Sequence, residues 1–143
     1  MNCLPQHGRV NCTLCFEGKP VVFDETQRTE AGWRITANPL AWGSSAPEIV
    51  VLGFSKGPTQ AGALTSTPHD KIAYKGSRGN VGKMLAHVGL LTEAPSDLYV
   101  NAVDQLISDR SGRFHFGSRV RCTVERFDKK AEVWQGSGGG MLD

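Results

Sequence analysis

Glu48-Ile49-Val50-Val51-Leu52-Gly53-Phe54-Ser55-Lys56-Gly57 is the stretch that decides the fold class. Four consecutive apolar residues follow the loop Ser44-Ser45-Ala46-Pro47. Such a run suits a strand covered on both faces, as in a parallel sheet. It ends in the glycine-bracketed loop Gly53 to Gly57. In open α/β sheets, ligands bind at that carboxyl edge of the strands. An α/β class is therefore the expectation.

Downstream, residues 59–78 are polar and turn-rich and read as a long loop over that edge. Val81, Met84, Leu85 and Val88 then form one apolar stripe of a helix, with Gly89 where a C-cap glycine belongs. Asp97 to Val103 is a short apolar run, a strand or a helix start. Ser108 to Arg113 is a turn cluster. Strict alternation follows. Phe114, Phe116, Ser118, Val120, Cys122 and Val124 share one face, and His115, Gly117, Arg119, Arg121, Thr123 and Glu125 the other. One strand with an apolar side and a polar or basic side is predicted there. Upstream, residues 21–48 are mixed, with Trp33, Trp42 and a turn at Asn38-Pro39. Residues 1–20 hold three of the four cysteines and read as an irregular, ligand-like segment.

The 143 residues suit a single domain, 1–143. With 39% hydrophobic and 21% charged residues, a packed core is expected and wholesale disorder is not. The net charge of +2 neither demands nor excludes a nucleic-acid partner. No apolar run reaches the ~18–20 residues of a membrane span, and Met1-Asn2-Cys3-Leu4-Pro5 lacks the features of a signal peptide. A monomeric cytoplasmic chain with reduced thiols and no membrane association is expected. Its cysteines then read as metal ligands or core residues rather than disulfides.

Cys12-Thr13-Leu14-Cys15 is a C-x2-C knuckle, whose spacing lets two sulfurs face one ion. A zinc site completed by Cys3 and His7 is one reading. An iron–sulfur site on Cys3, Cys12, Cys15 and Cys122 is another, and unliganded thiols a third. The loop Gly53 to Gly57 is neither a Walker loop nor a dinucleotide fingerprint. Lys71, Lys75, Arg78 and Lys83 surround Tyr74, while Arg119 and Arg121 lie on the polar side of the last strand. Cations interleaved with an aromatic suit phosphates plus a stacked base, although a solvated face has the same pattern. No nucleophilic triad is evident, and the zinc-deaminase signature is missing.

In order and rough spacing, four segments resemble the uracil-DNA glycosylase superfamily, particularly its iron–sulfur branch. They are Cys12 to Cys15, then Ile49 to Gly57, similar to that branch's strand followed by Gly-Glu-Ala-Pro-Gly. Ala73-Tyr74-Lys75-Gly76-Ser77-Arg78-Gly79 leads into Met84 to Leu90, similar to Pro-Phe-Val-Gly-Arg-Ala-Gly and a helix ending in Gly-Leu. Ser118-Arg119-Val120-Arg121-Cys122 is similar to Asn-x-Val-Lys-Cys-Arg. The resemblance covers residues 12–126.

The resemblance implies a three-layer α/β/α domain with a central, mostly parallel sheet. It also implies removal of a damaged base, uracil, from DNA by cleavage of its N-glycosidic bond. A 4Fe-4S cluster would be held by Cys12, Cys15 and Cys122, with Cys3 or a residue beyond Asp143 as fourth ligand, and zinc is the alternative metal. Gly53, Phe54, Tyr74 and Ser118 would contact the base, with Tyr74 stacking on it. Lys75, Arg78, Arg119 and Arg121 would contact DNA. Phe54 stands where the family positions water, and a phenyl ring cannot do that; Ser55 is the nearest polar substitute. Ser118 replaces an asparagine and offers one hydroxyl where an amide offers two bonds. The glycine-rich residues 135–143 would then interrupt a longer domain, ahead of the family's second catalytic loop.

Overall fold

The computed structural model describes residues 4–136. They form a mixed α/β structure with two four-stranded sheets and two long helices. The first sheet holds β1 (Gly8–Arg9), β4 (Leu40–Gly43), β6 (Phe114–Ser118) and β5 (Ile49–Gly53), in that order. The second is an antiparallel sheet of β2 (Gln27–Glu30), β3 (Trp33–Thr36), β7 (Thr123–Asp128) and β8 (Val133–Gly136). Helix α1 (Pro58–Ala61) is a single turn, whereas α2 (Arg78–His87) and α3 (Ser96–Ser108) pack against each other. No helix among the described residues is long and apolar enough to cross a membrane.

The expected mostly parallel sheet is corrected. Only β5 and β6 run parallel, while β1–β4 and β4–β6 are antiparallel. The apolar-run signature of parallel strands occurs once, at β5; the other strands are short and mixed, as antiparallel strands usually are. β5 is also not covered on both faces. Ile49 and Val51 pack on the core, but Val50 is 45% and Leu52 57% exposed.

The alternating stretch from Phe114 is two strands, not one. The chain leaves β6 at Ser118 and crosses the end of β5. There Arg119 N–H donates to Gly53 O and Val120 N–H to Phe54 O, both at 2.8 Å. It then enters β7 in the other sheet. The side of β6 expected to be polar is buried, with His115 and Gly117 inside.

The main core joins Leu40, Trp42, Phe114 and Phe116 of the first sheet to Val81 and Leu85 of α2 and to Val103 and Ile107 of α3. Gly89 ends α2 with φ +78°, the left-handed conformation expected of a C-cap glycine. The stripe expected on α2 holds only in part: Val81 and Leu85 are buried, whereas Met84 and Val88 are exposed. The buried side instead includes Gly82, which lies against the Tyr99 side chain of α3. Residues 97–103 are the start of α3. The loop read over 59–78 contains α1 and a short 3-10 turn, His69–Lys71.

A candidate base cavity and a thiol cluster

Gly53 and Ser118 are the last residues of the parallel pair and sit opposite each other in register. Beyond them is a cavity of about 30 Å³ lined by Gly53, Ser55, Gln60, Tyr74 and Ser118, with Trp42, Ala73 and Gly117 completing its wall. Four residues singled out in the sequence, drawn from three separate segments, thus meet at one sheet edge. Phe54 is not on this wall; it is half-buried, and its carbonyl ties the β6–β7 connection to β5. The space has room for about two waters.

Tyr74 adopts φ +52°, a costly conformation for an aromatic residue, which persists only where its surroundings enforce it. The Ser77 N–H and hydroxyl both donate to the Tyr74 carbonyl. Arg78 holds the turn from below. Its Nε donates to Ala73 O at 2.9 Å and its Nη2 to Asp70 O at 2.6 Å, while its Nη1 is paired with Asp104. The Tyr74 ring meets Phe116 edge-on with centroids 6.1 Å apart, and burial pushes its phenol up to about 12. The hydroxyl is therefore a neutral donor across the physiological range.

The expected DNA-contacting cations divide. Lys75 and Arg119 are exposed. Arg78 is only 7% exposed and holds Tyr74's turn, so its place on a DNA-facing surface is corrected. Arg121 also turns inward. It donates from Nη2 to His115 Nε2 at 3.3 Å and from Nη1 to Leu40 O at 3.4 Å. In both cases a backbone carbonyl and a side-chain partner within reach take donors of the guanidinium inward.

Cys12 and Cys15 lie in the connection between β1 and β2, and Cys122 lies just ahead of β7. Cys15 and Cys122 belong to one small apolar cluster with Phe16, Ala37 and Ile35. Burial pushes the Cys122 thiol up. The Asn38 backbone N–H and the Lys56 ammonium act in the opposite direction, and Cys15 and Cys12 are near enough to repel its thiolate. Lys56 is 1% exposed, and its Nζ donates to the Arg121 carbonyl. Burial lowers it to about 8, against the pull of Cys122 and Asp24. Arg121 lies near Cys12. Lys56 lies beside Cys122, but burial outweighs the Lys56 charge and keeps the Cys122 thiol raised. Cys3 lies outside the described residues.

His7, named in the zinc reading, is engaged elsewhere. Its Nδ1 accepts from Gly43 N–H at 3.1 Å, which places its proton on Nε2, 2.5 Å from Asp70 Oδ1. Among the described residues, His7, His69 and Asp70 are the one group whose three ligand atoms lie within 4.8 Å of one another. A metal on Nε2 of His7 would require a proton on Nδ1, facing the Gly43 N–H, so this tautomer does not suit ligation. His7 and Asp70 are 63 residues apart, and no spacing in the sequence signals their pairing. Lys56 and Gln60 were likewise invisible as site residues, being ordinary loop positions in the sequence.

Compared with known proteins, the chain matches no protein-family model, no curated protein and no solved structure.

Proposed function

We propose that this chain is a DNA-binding protein of the uracil-DNA glycosylase type, which takes a damaged base, uracil by resemblance, to the cavity beside Tyr74. The observation that carries the reading is the meeting of Gly53, Ser55, Tyr74 and Ser118 around one cavity at the carboxyl ends of β5 and β6. In this reading the Tyr74 ring stacks on the base and the Ser118 hydroxyl makes one hydrogen bond to its edge. Base-leaving requires stabilisation of the departing anion, which the Ser118 hydroxyl can give by donation. Water at the sugar needs a polar orienting group, and Ser55 is the cavity's nearest to the family position. Phe54 contributes none, so binding outlasts catalysis in this chain. A base is larger than the 30 Å³ space. Entry therefore needs movement of the wall.

Cys12, Cys15 and Cys122 would hold a 4Fe-4S cluster, which when bound ties the N-terminal segment to the sheets and performs no redox step. The engagement of His7 with Gly43 and Asp70 removes a ligand from the zinc reading.

The test is the affinity of the full chain for a single-stranded oligonucleotide with and without one uracil, together with release of free uracil. The expected result is tighter binding of the uracil strand, a preference lost in Tyr74→Ala, with release near background. Equal binding of the two strands overturns the reading. Robust release overturns the assignment of Phe54.

A further inference from the structure

The second sheet carries a groove that the Tyr74 cavity does not use. Trp33 begins β3 and faces Arg126 of β7 in register, with the guanidinium carbon 5.5 Å from the ring centroid. Two hairpin turns flank this pair. In the β2–β3 turn, Ala31 and Gly32 take positive φ (49° and 81°) and carry no side chain beyond a methyl, which leaves that side of the indole low. In the β7–β8 turn, Lys129 and Lys130 are both exposed. Between the turns lies an open groove of about 640 Å³ whose wall includes Trp33, Arg126, Asp128, Lys129, Lys130 and Gln135.

Asp128 is the one carboxylate on that wall. Its Oδ1 accepts from the N–H groups of Lys130 (2.8 Å) and Ala131 (3.1 Å), and its Oδ2 from Gln135 Nε2 at 2.8 Å. Those bonds turn it into the hairpin and leave the three cations dominant. A wall with three cations against one carboxylate complements a polyanion. The neighbouring indole offers what a simple polyanion does not use, an aromatic face of the kind on which bases stack.

We propose that this groove binds single-stranded DNA, with a base on the indole of Trp33 and backbone phosphates on Arg126, Lys129 and Lys130. The choice of DNA as the polymer rests on the proposed function; the groove itself does not. A duplex does not fit the arrangement, because its base faces are hidden in the stack.

The experiment is binding of a labelled oligo-dT of about twelve nucleotides, a length within known single-strand site sizes, to the full chain. Fluorescence anisotropy is followed at several salt concentrations between about 50 and 200 mM. Trp33→Ala is expected to weaken binding about 5- to 150-fold, the range for loss of one base stack, without changing the salt slope. Trp33→Phe keeps most of the affinity. The double variant Lys129→Gln/Lys130→Gln lowers the slope of log affinity against log salt by about 1.4, the value for two lost single-strand phosphates. The separation of stacking from slope is not a consequence of misfolding. Binding unchanged in both variants overturns the proposal, as does no binding at the lowest salt, or tighter binding of duplex or of an oligoglutamate. Because oligo-dT contains no uracil, loss of the uracil preference with these effects intact overturns only the base-cavity reading.

Discussion

Arg121 donates from Nη2 to Nε2 of the fully buried His115 at 3.3 Å. The other ring nitrogen, Nδ1, donates to Ser44 O at 2.8 Å, so the imidazole is neutral with its proton on Nδ1. Gly117 permits this approach, since a Cβ there would meet the Arg121 guanidinium at 2.6 Å. The contact joins β6 to the connection that carries Cys122, and so links the sheet edge at the cavity to the thiol cluster.

A pH dependence follows. Burial, and then the Arg121 charge, hold His115 below 6.5; burial, with a smaller contribution from His7, lowers His69 as well. The unfolded chain therefore binds more protons than the folded one just below pH 6.5, and its stabilisation is complete above that value. Urea unfolding should show stability falling from about pH 7.5 to about pH 5.5. His115→Gln should flatten that fall. A dependence as steep in the variant as in the parent contradicts the assignment.

Asp104 tests the support beneath Tyr74. Burial alone would raise its carboxyl, but hydrogen bonds from Lys71 and Arg78, with their charges, bring it below the usual value. Asp104→Asn leaves Arg78, 7% exposed, without its anion. We expect a loss of about 1.5–3 kcal/mol at pH 7, typical of a bond to a charged group. A depressed carboxyl contributes fully above the unfolded value of about 3.9 and loses that contribution as pH falls through the folded one. The gap between parent and variant should therefore close in acid. A gap that persists unchanged would mean that packing, not charge, is what Asp104 supplies.

Gly43→Ala probes the junction of β4 with β6. Gly43 takes φ +81°, and a Cβ there would press on the backbone carbonyl of Phe114. Its N–H also donates to His7. Left-handed strain and overpacking together should cost about 2–5 kcal/mol, measured by denaturant unfolding. A loss below about 1 kcal/mol would show that the strand ends separate easily.

The particular residues show what could be read from sequence alone. β5 was legible because four apolar residues in a row have few other uses, yet the run could not reveal that one of its faces stays exposed. The α2 helix and its glycine cap were legible; its buried side was not. Apolar counting selects Met84 and Val88, whereas the buried side includes Gly82, where the missing side chain makes room for Tyr99. Alternation from Phe114 to Glu125 survives a change of sheet, because leaving β6 for β7 does not disturb the period of two. The C-x2-C of Cys12 and Cys15 is legible from spacing, whereas Cys122 joins them only through the resemblance; Cys15 and Cys122 share one apolar cluster. Arg78 and Arg121 read as surface cations because sequence carries a charge's sign but not the carbonyls that hold it inward. The pairing of His7 with Asp70 depends on a contact across 63 residues and leaves no local trace.

The most direct measurement is the metal content and visible absorption of the anaerobically purified full chain, parent beside Cys122→Ser. A brown parent with about four irons per chain, and a variant that has lost both colour and iron, is the predicted result. Colourless protein with stoichiometric zinc that survives Cys122→Ser would contradict it, and so would protein holding neither metal.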